Sequence, residues 1–439
     1  MRAIRSLALF VCTLCLAALA AVGVVPAAAA TTAFDPALYW NGVLLDTYRQ
    51  VGGAPGPLAR TAAMMHGVIY EAHVLANPYS CGDDKLRPNK VAASAEAAYQ
   101  VLRAVYPAID FADERDHALS QVPATEAGLV TFSREVARCI SDVMLTRRAQ
   151  DGGAFDPSYT VGTRPGDWRE TGSGSAATPK WGTLPPFCLT SGSQFRPGLP
   201  GGVTSLDGLL RSRRYADAVN EVKRLGRRDA SAQDRTAEQT EIAFFWANDL
   251  DGTYKPPGQH LDHTRQVSVD RGLTPQQNAR LFALVSYALA DAAVTAWNTK
   301  YDSDVDLWRP ESAIALAGTD GNPATEPESG WRPLSQNRAG VSFSPPFPAY
   351  VSGHATLAGA WAGAMRRYFG TDAISFVGGT DDPKAVGVTR RFTSFSQAAR
   401  EDADSRIYLG VHYRFDADNG LSSGENVAGH VFDNCVRLT

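Results

Sequence analysis

The hydrophobic positions of the chain recur at helical spacing over most of its length. Apolar side chains appear at intervals of three and four residues, which is typical of amphipathic helices packed on a core. Strand patterns are few, so the sequence predicts an all-α fold with long irregular loops. The predicted helices cover residues 36–77, 92–105, 125–149, 215–225, 231–245, 274–300, 353–369 and 394–409.

Helix-start signals mark several of these boundaries. Thr125, Ser231 and Ser352 are favourable N-cap residues, because their side-chain oxygens can accept from free backbone N–H groups. Thr274 does the same, and Pro275 after it suits the first helical position. The helix that starts there is predicted to end near Lys300.

Residues 151–204 interrupt the helical pattern with a Gly- and Pro-rich stretch that also contains large aromatic residues. So long an irregular segment is usually functional or disordered. A wall or lid over a pocket and a plain surface excursion both remain open. We expect an N-terminal helical half, residues 31–204, and a C-terminal half, residues 205–439.

The first 30 residues are predicted to be a signal peptide. Arg2 and Arg5 precede an apolar run at residues 7–25, and Ala28–Ala30 form a small-residue cleavage site. An uncleaved anchor is the alternative. No later stretch is judged apolar enough to cross a membrane, so a secreted protein without a membrane partner is expected.

Composition limits the partners and suggests cross-links. The net charge of −4 gives no reason to expect a nucleic-acid partner, so any anion site must be a local cluster of cations. An even number of cysteines remains after the signal, which in an exported protein allows up to two disulfides in any of three pairings. They are Cys81, Cys139, Cys188 and Cys435.

Three short basic stretches, residues 297–310, 347–356 and 405–416, contain the candidate chemistry. Together they provide fixed cations, small donors and two histidines, which suits the binding of one tetrahedral oxyanion. The side chains are Lys300, Arg309, Arg406, Ser352, Gly353, His354 and His412. Each cation alone is compatible with a surface charge, but their joint occurrence favours a site.

The second stretch places Ser352 and Gly353 at a helix start, where backbone N–H groups and the helix dipole favour an anion. His354 then lies beside the bound anion as an acid or base, although a helix cap with an incidental histidine is the alternative. In the third stretch, Asp416 lies four residues after His412. If both are helical, the carboxylate can accept the second ring N–H of His412 and fix its tautomer.

The three stretches resemble the signature that vanadium-dependent haloperoxidases share with acid phosphatases of the PAP2 superfamily: K-x6-RP, PSGH and SR-x5-H-x3-D. FWAND at residues 245–249, residues 278–297 and PPFPAYVSGHAT resemble the chloroperoxidase branch. The resemblance covers about residues 240–420 and implies two four-helix bundles with the oxyanion site in the C-terminal one.

The resemblance also implies roles for single residues. His412 would be the axial ligand of vanadium, with Asp416 orienting it, and His354 would be the acid–base group. Asp249 would pair with Arg406. Trp297 and Phe347 would line a halide pocket, and Phe347 favours chloride or broad halide use. Vanadate oxygens would be bound by Lys300, Arg309, Ser352, Gly353 and Arg406.

Two departures from the signature bear on these roles. Eight residues rather than six separate Lys300 from Arg309, so a bulge or turn must absorb the insertion, or Lys300 is not in the family position. Val351 replaces the usual proline before Ser352, which is a milder change.

The expected activity is oxidation of halide by hydrogen peroxide at vanadate, with halogenation of a small organic acceptor. The first alternative is a secreted acid phosphatase that binds phosphate in the same site, with His412 as nucleophile and His354 protonating the leaving group. The second is a non-catalytic oxyanion-binding protein.

Overall fold

The computed structural model describes residues 34–75, 79, 81, 86–149, 151, 158–172 and 174–436. Within these ranges the chain forms fourteen α-helices and one two-stranded antiparallel sheet, so the predicted all-α class is confirmed. The N-terminal helices are α1 (Pro36–Val51), α2 (Pro55–Tyr70), α3 (Lys90–Val105), α4 (Ala112–Ser120) and α5 (Val130–Arg148). They are followed by α6 (Leu206–Leu210), α7 (Arg213–Leu225), α8 (Ala237–Phe245), α9 (Lys255–Asp270), α10 (Pro275–Tyr301), α11 (Pro310–Ala315), α12 (Gly353–Phe369), β1 (Phe376–Gly378), β2 (Arg390–Phe392), α13 (Phe395–Tyr408) and α14 (Arg414–Asn434).

Side-chain caps explain which predicted helix starts are correct. Thr274 caps α10 with a complete capping box, and Ser352 caps α12, both as predicted. Two predicted starts are wrong. Residues 124–129 form a 3-10 turn, so α5 begins at Val130 instead of after Thr125. Thr236 rather than Ser231 caps α8, because Gln239 completes its capping box.

Helix α10 is the central element of the core. It packs against α2 and α1 of the N-terminal helices and against α12 and α14 of the C-terminal ones. It is long and apolar enough to cross a membrane, so the sequence-based statement that no later stretch is so apolar was wrong. Its most apolar window is 89% buried inside the fold, which is the behaviour of a core helix.

Close contact between α12 and α14 brings the second and third basic stretches together. A Cβ on Gly359 would lie 2.3 Å from the Leu421 carbonyl oxygen, and one on Gly424 would lie 2.0 Å from that of Thr356. Only glycine allows this approach. At the same end of the pair, the Ser352 N–H donates to the Asp416 carbonyl oxygen at 3.2 Å.

The irregular segment is fastened to the C-terminal helices over its described part. The Asp291 carboxylate on α10 accepts from three consecutive backbone N–H groups, those of Phe187, Cys188 and Leu189, at 2.6–3.0 Å. Disulfides join Cys188 to Cys435 and Cys81 to Cys139, which selects one of the three predicted pairings. The predicted signal peptide, residues 1–30, lies outside the described residues.

Candidate oxyanion site

The insertion in the first basic stretch is absorbed by an extended segment between α10 and α11. The Trp168 N–H donates to the Asp306 carbonyl oxygen and the Trp308 N–H to that of Gly166, each at 2.7 Å. The segment therefore pairs with the irregular loop. It ends at Arg309, which is the N-cap of α11.

Lys300, in the last turn of α10, reaches the same place as Arg309 despite the longer spacing. The Lys300 Nζ lies 5.0 Å and the Arg309 Cζ 4.6 Å from the centroid of the Phe347 ring. The ammonium is fully buried and donates to the carbonyl oxygens of Pro348 (2.7 Å) and Ala349 (3.1 Å). Burial, and then the charge of Arg309, hold the pKa of Lys300 well below its ordinary value.

Arg309 contacts the other stretches directly. Its Nε donates to the Phe347 carbonyl oxygen at 2.7 Å, and its Nη1 donates to the Val411 carbonyl oxygen at 2.7 Å and to His412 Nε2 at 3.0 Å. Burial lowers the pKa of Arg309 to about 9, which leaves the guanidinium charged at neutral pH. In the described part of the chain, the buried Nη2 has no hydrogen-bond partner.

The His412–Asp416 pair forms, although not by the predicted route. His412 is not helical, because Tyr413 is the N-cap of α14 and Asp416 is its third residue. The Asp416 Oδ2 accepts from Tyr413 N–H at 3.1 Å and from His412 Nδ1 at 2.9 Å. Nδ1 therefore carries a proton and Nε2 has the lone pair. Burial, and then the charges of Arg309, Lys300 and Arg406, hold the pKa of His412 well below its ordinary value.

The second stretch has the predicted geometry in part. The Ser352 hydroxyl accepts from the Ala355 N–H at 3.3 Å, as a helix cap does, and the Ser352 N–H is already bound to Asp416. The His354 Nε2 lies 3.1 Å from the Ala247 carbonyl oxygen, which can only accept. Nε2 therefore has the proton and Nδ1 the lone pair. Burial, and then Arg406, lower the pKa of His354.

Arg406 and Asp249 form the predicted pair. Arg406 Nη2 donates to Asp249 Oδ2 at 2.8 Å, and Asp249 Oδ1 lies 3.9 Å from His354 Nε2. Burial acts against ionisation of Asp249, but the charges of Arg406 and His354 leave its pKa below the ordinary value. Among the described residues, Arg406 Nε and Nη1 have no hydrogen-bond partner, although Arg406 is only 1% exposed.

The unpartnered donors pass a test of fit for an oxyanion. Three buried guanidinium nitrogens of Arg309 and Arg406 have no partner within the described ranges, and leaving such donors unbound costs about 1–3 kcal/mol each. A tetrahedral oxyanion offers acceptors to both arginines, and the neutral His412 Nε2 offers a lone pair. The residues present therefore suit vanadate or phosphate.

A cavity of about 210 Å³ opens onto this cluster. Arg406, His354, His412 and Gly353 form its polar end, and its wall is mostly apolar. The Trp297 and Phe347 rings lie in that wall with centroids 5.1 Å apart. Trp297 Nε1 donates to the carbonyl oxygen of Ala177, which also lines the cavity, so the irregular segment contributes to the wall.

The sequence analysis missed one charged residue among those that line the cavity. Lys255, the first residue of α9, has a left-handed backbone (φ 61°) and lines the cavity with its side chain almost fully buried. In the sequence it is followed by Pro256, Pro257 and Gly258, which are typical of a loop. Nothing in that pattern indicates a buried ammonium.

Comparisons with known protein sequences find similarity to vanadium chloroperoxidases. Residues 280–439 match the family described as VCPO second helical-bundle domain. The chain is 27% identical to vanadium chloroperoxidase of Curvularia inaequalis over 489 aligned residues, covering 87% of this chain and 78% of that protein.

Solved structures share the fold. A bacterial vanadium-dependent iodoperoxidase superposes with a TM-score of 0.69 at 24% identity, covering 89% of this chain and 94% of that one. A holo-type bacterial vanadium-dependent chloroperoxidase gives a TM-score of 0.62 at 15% identity, covering 92% and 93%.

Proposed function

We propose that this chain, whose predicted resemblance to the vanadium-dependent haloperoxidases is confirmed by these comparisons, oxidises halide with hydrogen peroxide at bound vanadate. The observation that carries the proposal is the set of Arg309 and Arg406 donors that have no partner among the described residues and lie beside a neutral His412. Chloride, or a broad range of halides, is the proposed substrate. The family resemblance associates a phenylalanine at position 347 with this halide use, and Phe347 lines the cavity.

Vanadate would be held by Arg309 and Arg406 through their free N–H groups and by His412 through Nε2. When bound, it supplies a Lewis-acidic centre that activates peroxide towards halide. The His412 Nε2 has one lone pair, which Arg309 Nη1 now engages. Arg309 would have to release that hydrogen bond before Nε2 could hold vanadate, and its Nη1 would then be free to donate to the oxyanion.

Lys300, Ser352 and Gly353 contribute differently from the two arginines. The Lys300 ammonium has a third N–H beyond those given to Pro348 and Ala349, and its charge lies close to the site. A Cβ on Gly353 would lie 3.2 Å from the Trp297 ring, so glycine keeps that side of the cavity open. The Ser352 hydroxyl can donate its own proton while it accepts from Ala355.

His354 is the proposed proton acceptor. Its depressed pKa keeps the imidazole neutral near pH 7, and its lone pair is on Nδ1. Nδ1 would take a proton from incoming peroxide. The hydrogen bond from Nε2 to the Ala247 carbonyl oxygen fixes the ring and stabilises the imidazolium that forms.

The apolar wall gives halide a partly dehydrated position beside the oxyanion. Trp297 and Phe347 exclude water from one side. Lys300 and Arg309 lie within cation–π distance of the Phe347 ring and draw on its negative potential, so the ring repels an anion less than an isolated phenyl group would. The product, a hypohalous acid equivalent, would halogenate a small organic acceptor.

We also propose that the protein is exported. The charged and apolar pattern of residues 1–30 supports export, as do the two disulfides, since disulfides persist in oxidising compartments.

Two assays on one preparation test the activity. With orthovanadate, hydrogen peroxide and bromide or chloride, we expect halogenation of a phenol dye that requires added vanadate. Without vanadate, hydrolysis of an aryl phosphate should be slow or absent. Rapid hydrolysis without halogenation would identify the phosphatase alternative, and oxyanion binding with neither reaction would identify the non-catalytic one.

A further inference from the structure

Asp249, in the loop after α8, and Lys255, the first residue of α9, both line the cavity. Asn248 and Lys255 both have left-handed backbone, with φ of 42° and 61°. A residue with a Cβ is disfavoured there, and such positions persist where the surroundings hold them, often at functional sites. The contacts of the Lys255 side chain offset the cost of this backbone conformation.

The Lys255 ammonium binds one backbone group at the site and one exposed carboxylate. It donates to the Asp249 carbonyl oxygen and to Asp251 Oδ1, each at 2.7 Å. The Asp251 side chain is 83% exposed, whereas that of Lys255 is 6% exposed. The buried ammonium therefore fixes the main chain of Asp249 from one side.

Asp249 in turn contacts two groups of the oxyanion site. Its Oδ2 accepts from Arg406 Nη2, and its Oδ1 lies 3.9 Å from His354 Nε2. Two nitrogens of Arg406, Nε and Nη1, have no hydrogen-bond partner among the described residues. A displacement of Asp249 would therefore redirect Arg406 and move a carboxylate away from His354, and a misplacement of 1 Å at a reacting centre can cost about a hundredfold in rate.

We propose that Lys255 is a positioning residue of the oxyanion site: its ammonium fixes the backbone of Asp249, and the Asp249 carboxylate directs Arg406 at the anion. The proposal rests on the proposed function. In this proposal Lys255 acts only through Asp249 and does not touch the reacting atoms.

The charge of Lys255 also bears on the ionisation of Asp249. The groups that face Asp249 are Arg406 from α13, His354 from α12, Arg309 before α11, Asp382 between the two strands, and Lys255 itself. Lys255 is one of the cations that lower the pKa of Asp249. Removal of Lys255 therefore raises the pKa of Asp249. As the pH falls, Asp249 then takes up its proton, and its ion pair with Arg406 is lost, at a higher pH than in the parent protein.

Two substitutions separate the ammonium from the backbone strain. Lys255→Met removes the charge and keeps the strained Cβ, whereas Lys255→Gly removes the charge and relieves the strain. Calorimetric titration of the full-length protein with orthovanadate, and separately with inorganic phosphate, is carried out between pH 3 and 8 without peroxide, so that the range includes the ionisation of Asp249. Both variants should bind orthovanadate about tenfold more weakly than the parent, the size expected for an outer-shell partner.

The pH profile and a matched control complete the test. In both variants the acid side of the binding profile should move to higher pH, and the glycine variant should melt no lower than the methionine variant. Lys223 on α7 provides the control, because its ammonium also binds one carbonyl oxygen (Glu326, 2.9 Å) and one carboxylate (Glu328, 3.5 Å). Lys223→Met should leave oxyanion binding unchanged.

Parental affinity and an unshifted profile in both Lys255 variants would overturn the proposal, as would a parent protein that binds neither oxyanion. A parent that binds orthovanadate but does not halogenate would contradict the proposed function. The effect of Lys255 on oxyanion binding would then still be measurable and would decide this proposal separately.

Discussion

Buried histidines occur in both halves of the molecule, but in different surroundings. His66 on α2 lies 3.3 Å from the Asn41 side-chain oxygen, and His73 after α2 lies 3.3 Å from the Ser94 hydroxyl. His354 and His412, in contrast, each have an aspartate nearby and line the cavity. Burial lowers the pKa of all four.

The comparison shows that burial alone makes a histidine neutral but does not make a site. What distinguishes His354 and His412 is the surrounding set of charges: Arg309 and Arg406 have donors without a partner in the described part of the chain, and Asp416 fixes the tautomer of His412. Substitutions in this pair should therefore change chemistry, and substitutions in the N-terminal pair should change stability.

His354→Ala should produce the largest effect. We expect halogenation to fall by about 10²–10⁴-fold, because the proton acceptor is lost, while orthovanadate still binds. Steady-state rates and an orthovanadate titration on the same variant measure both. A variant that retains full activity would contradict the assignment of His354.

His412→Ala should act mainly on retention of the oxyanion. Loss of a direct ligand should weaken orthovanadate binding by more than about a hundredfold, the upper range for outer-shell partners. Calorimetric titration gives the affinity. Asp416→Asn is the companion variant, and it should weaken binding less, since the ligand remains and only its orientation and basicity change.

Lys300→Met should lower both affinity and stability. The substitution removes a charge near the oxyanion, for which about a tenfold loss of affinity is expected. It also leaves the Pro348 and Ala349 carbonyl oxygens without their donor, at about 1–3 kcal/mol for each buried group. Urea denaturation should show the loss, and unchanged stability would mean that these hydrogen bonds do not persist.

His66 should produce the smallest effect, on stability alone. Burial lowers its pKa to about 3, so between pH 6.5 and about 3 the unfolded chain binds the proton and the folded chain does not. His66 therefore does not lower the free energy of unfolding above pH 6.5, and it lowers that free energy progressively as the pH falls through this window. His66→Leu should flatten the dependence of urea unfolding on pH, and exposed His117→Leu should not.

The elements with explicit caps could be predicted from the sequence. Thr274 and Ser352 carry their own signals, and α12 was predicted with its observed bounds. Helices α9 and α14 were not predicted. Their starts depend on Lys255-Pro-Pro and on Tyr413, and their buried faces include polar and glycine residues that hide the apolar period.

The grouping of the candidate residues could be predicted from the sequence, as could the Asp416–His412 and Asp249–Arg406 pairs, but most of the other contacts could not. All the predicted cations and both histidines lie in the three basic stretches, and the structure brings these side chains together. The carbonyl partners of Lys300, the strand-like pairing of the insertion with residues 166–168, and the Lys255 contact all depend on segments distant in sequence. No local pattern specifies such contacts, because tertiary packing decides them.

Titration of the parent protein with orthovanadate, followed by ⁵¹V NMR and competed with inorganic phosphate, tests the central claim most directly. If the three basic stretches surround a single oxyanion, one equivalent of orthovanadate should bind saturably, and phosphate should displace it in direct competition. Absence of saturable binding, or binding that phosphate does not displace, would contradict the claim.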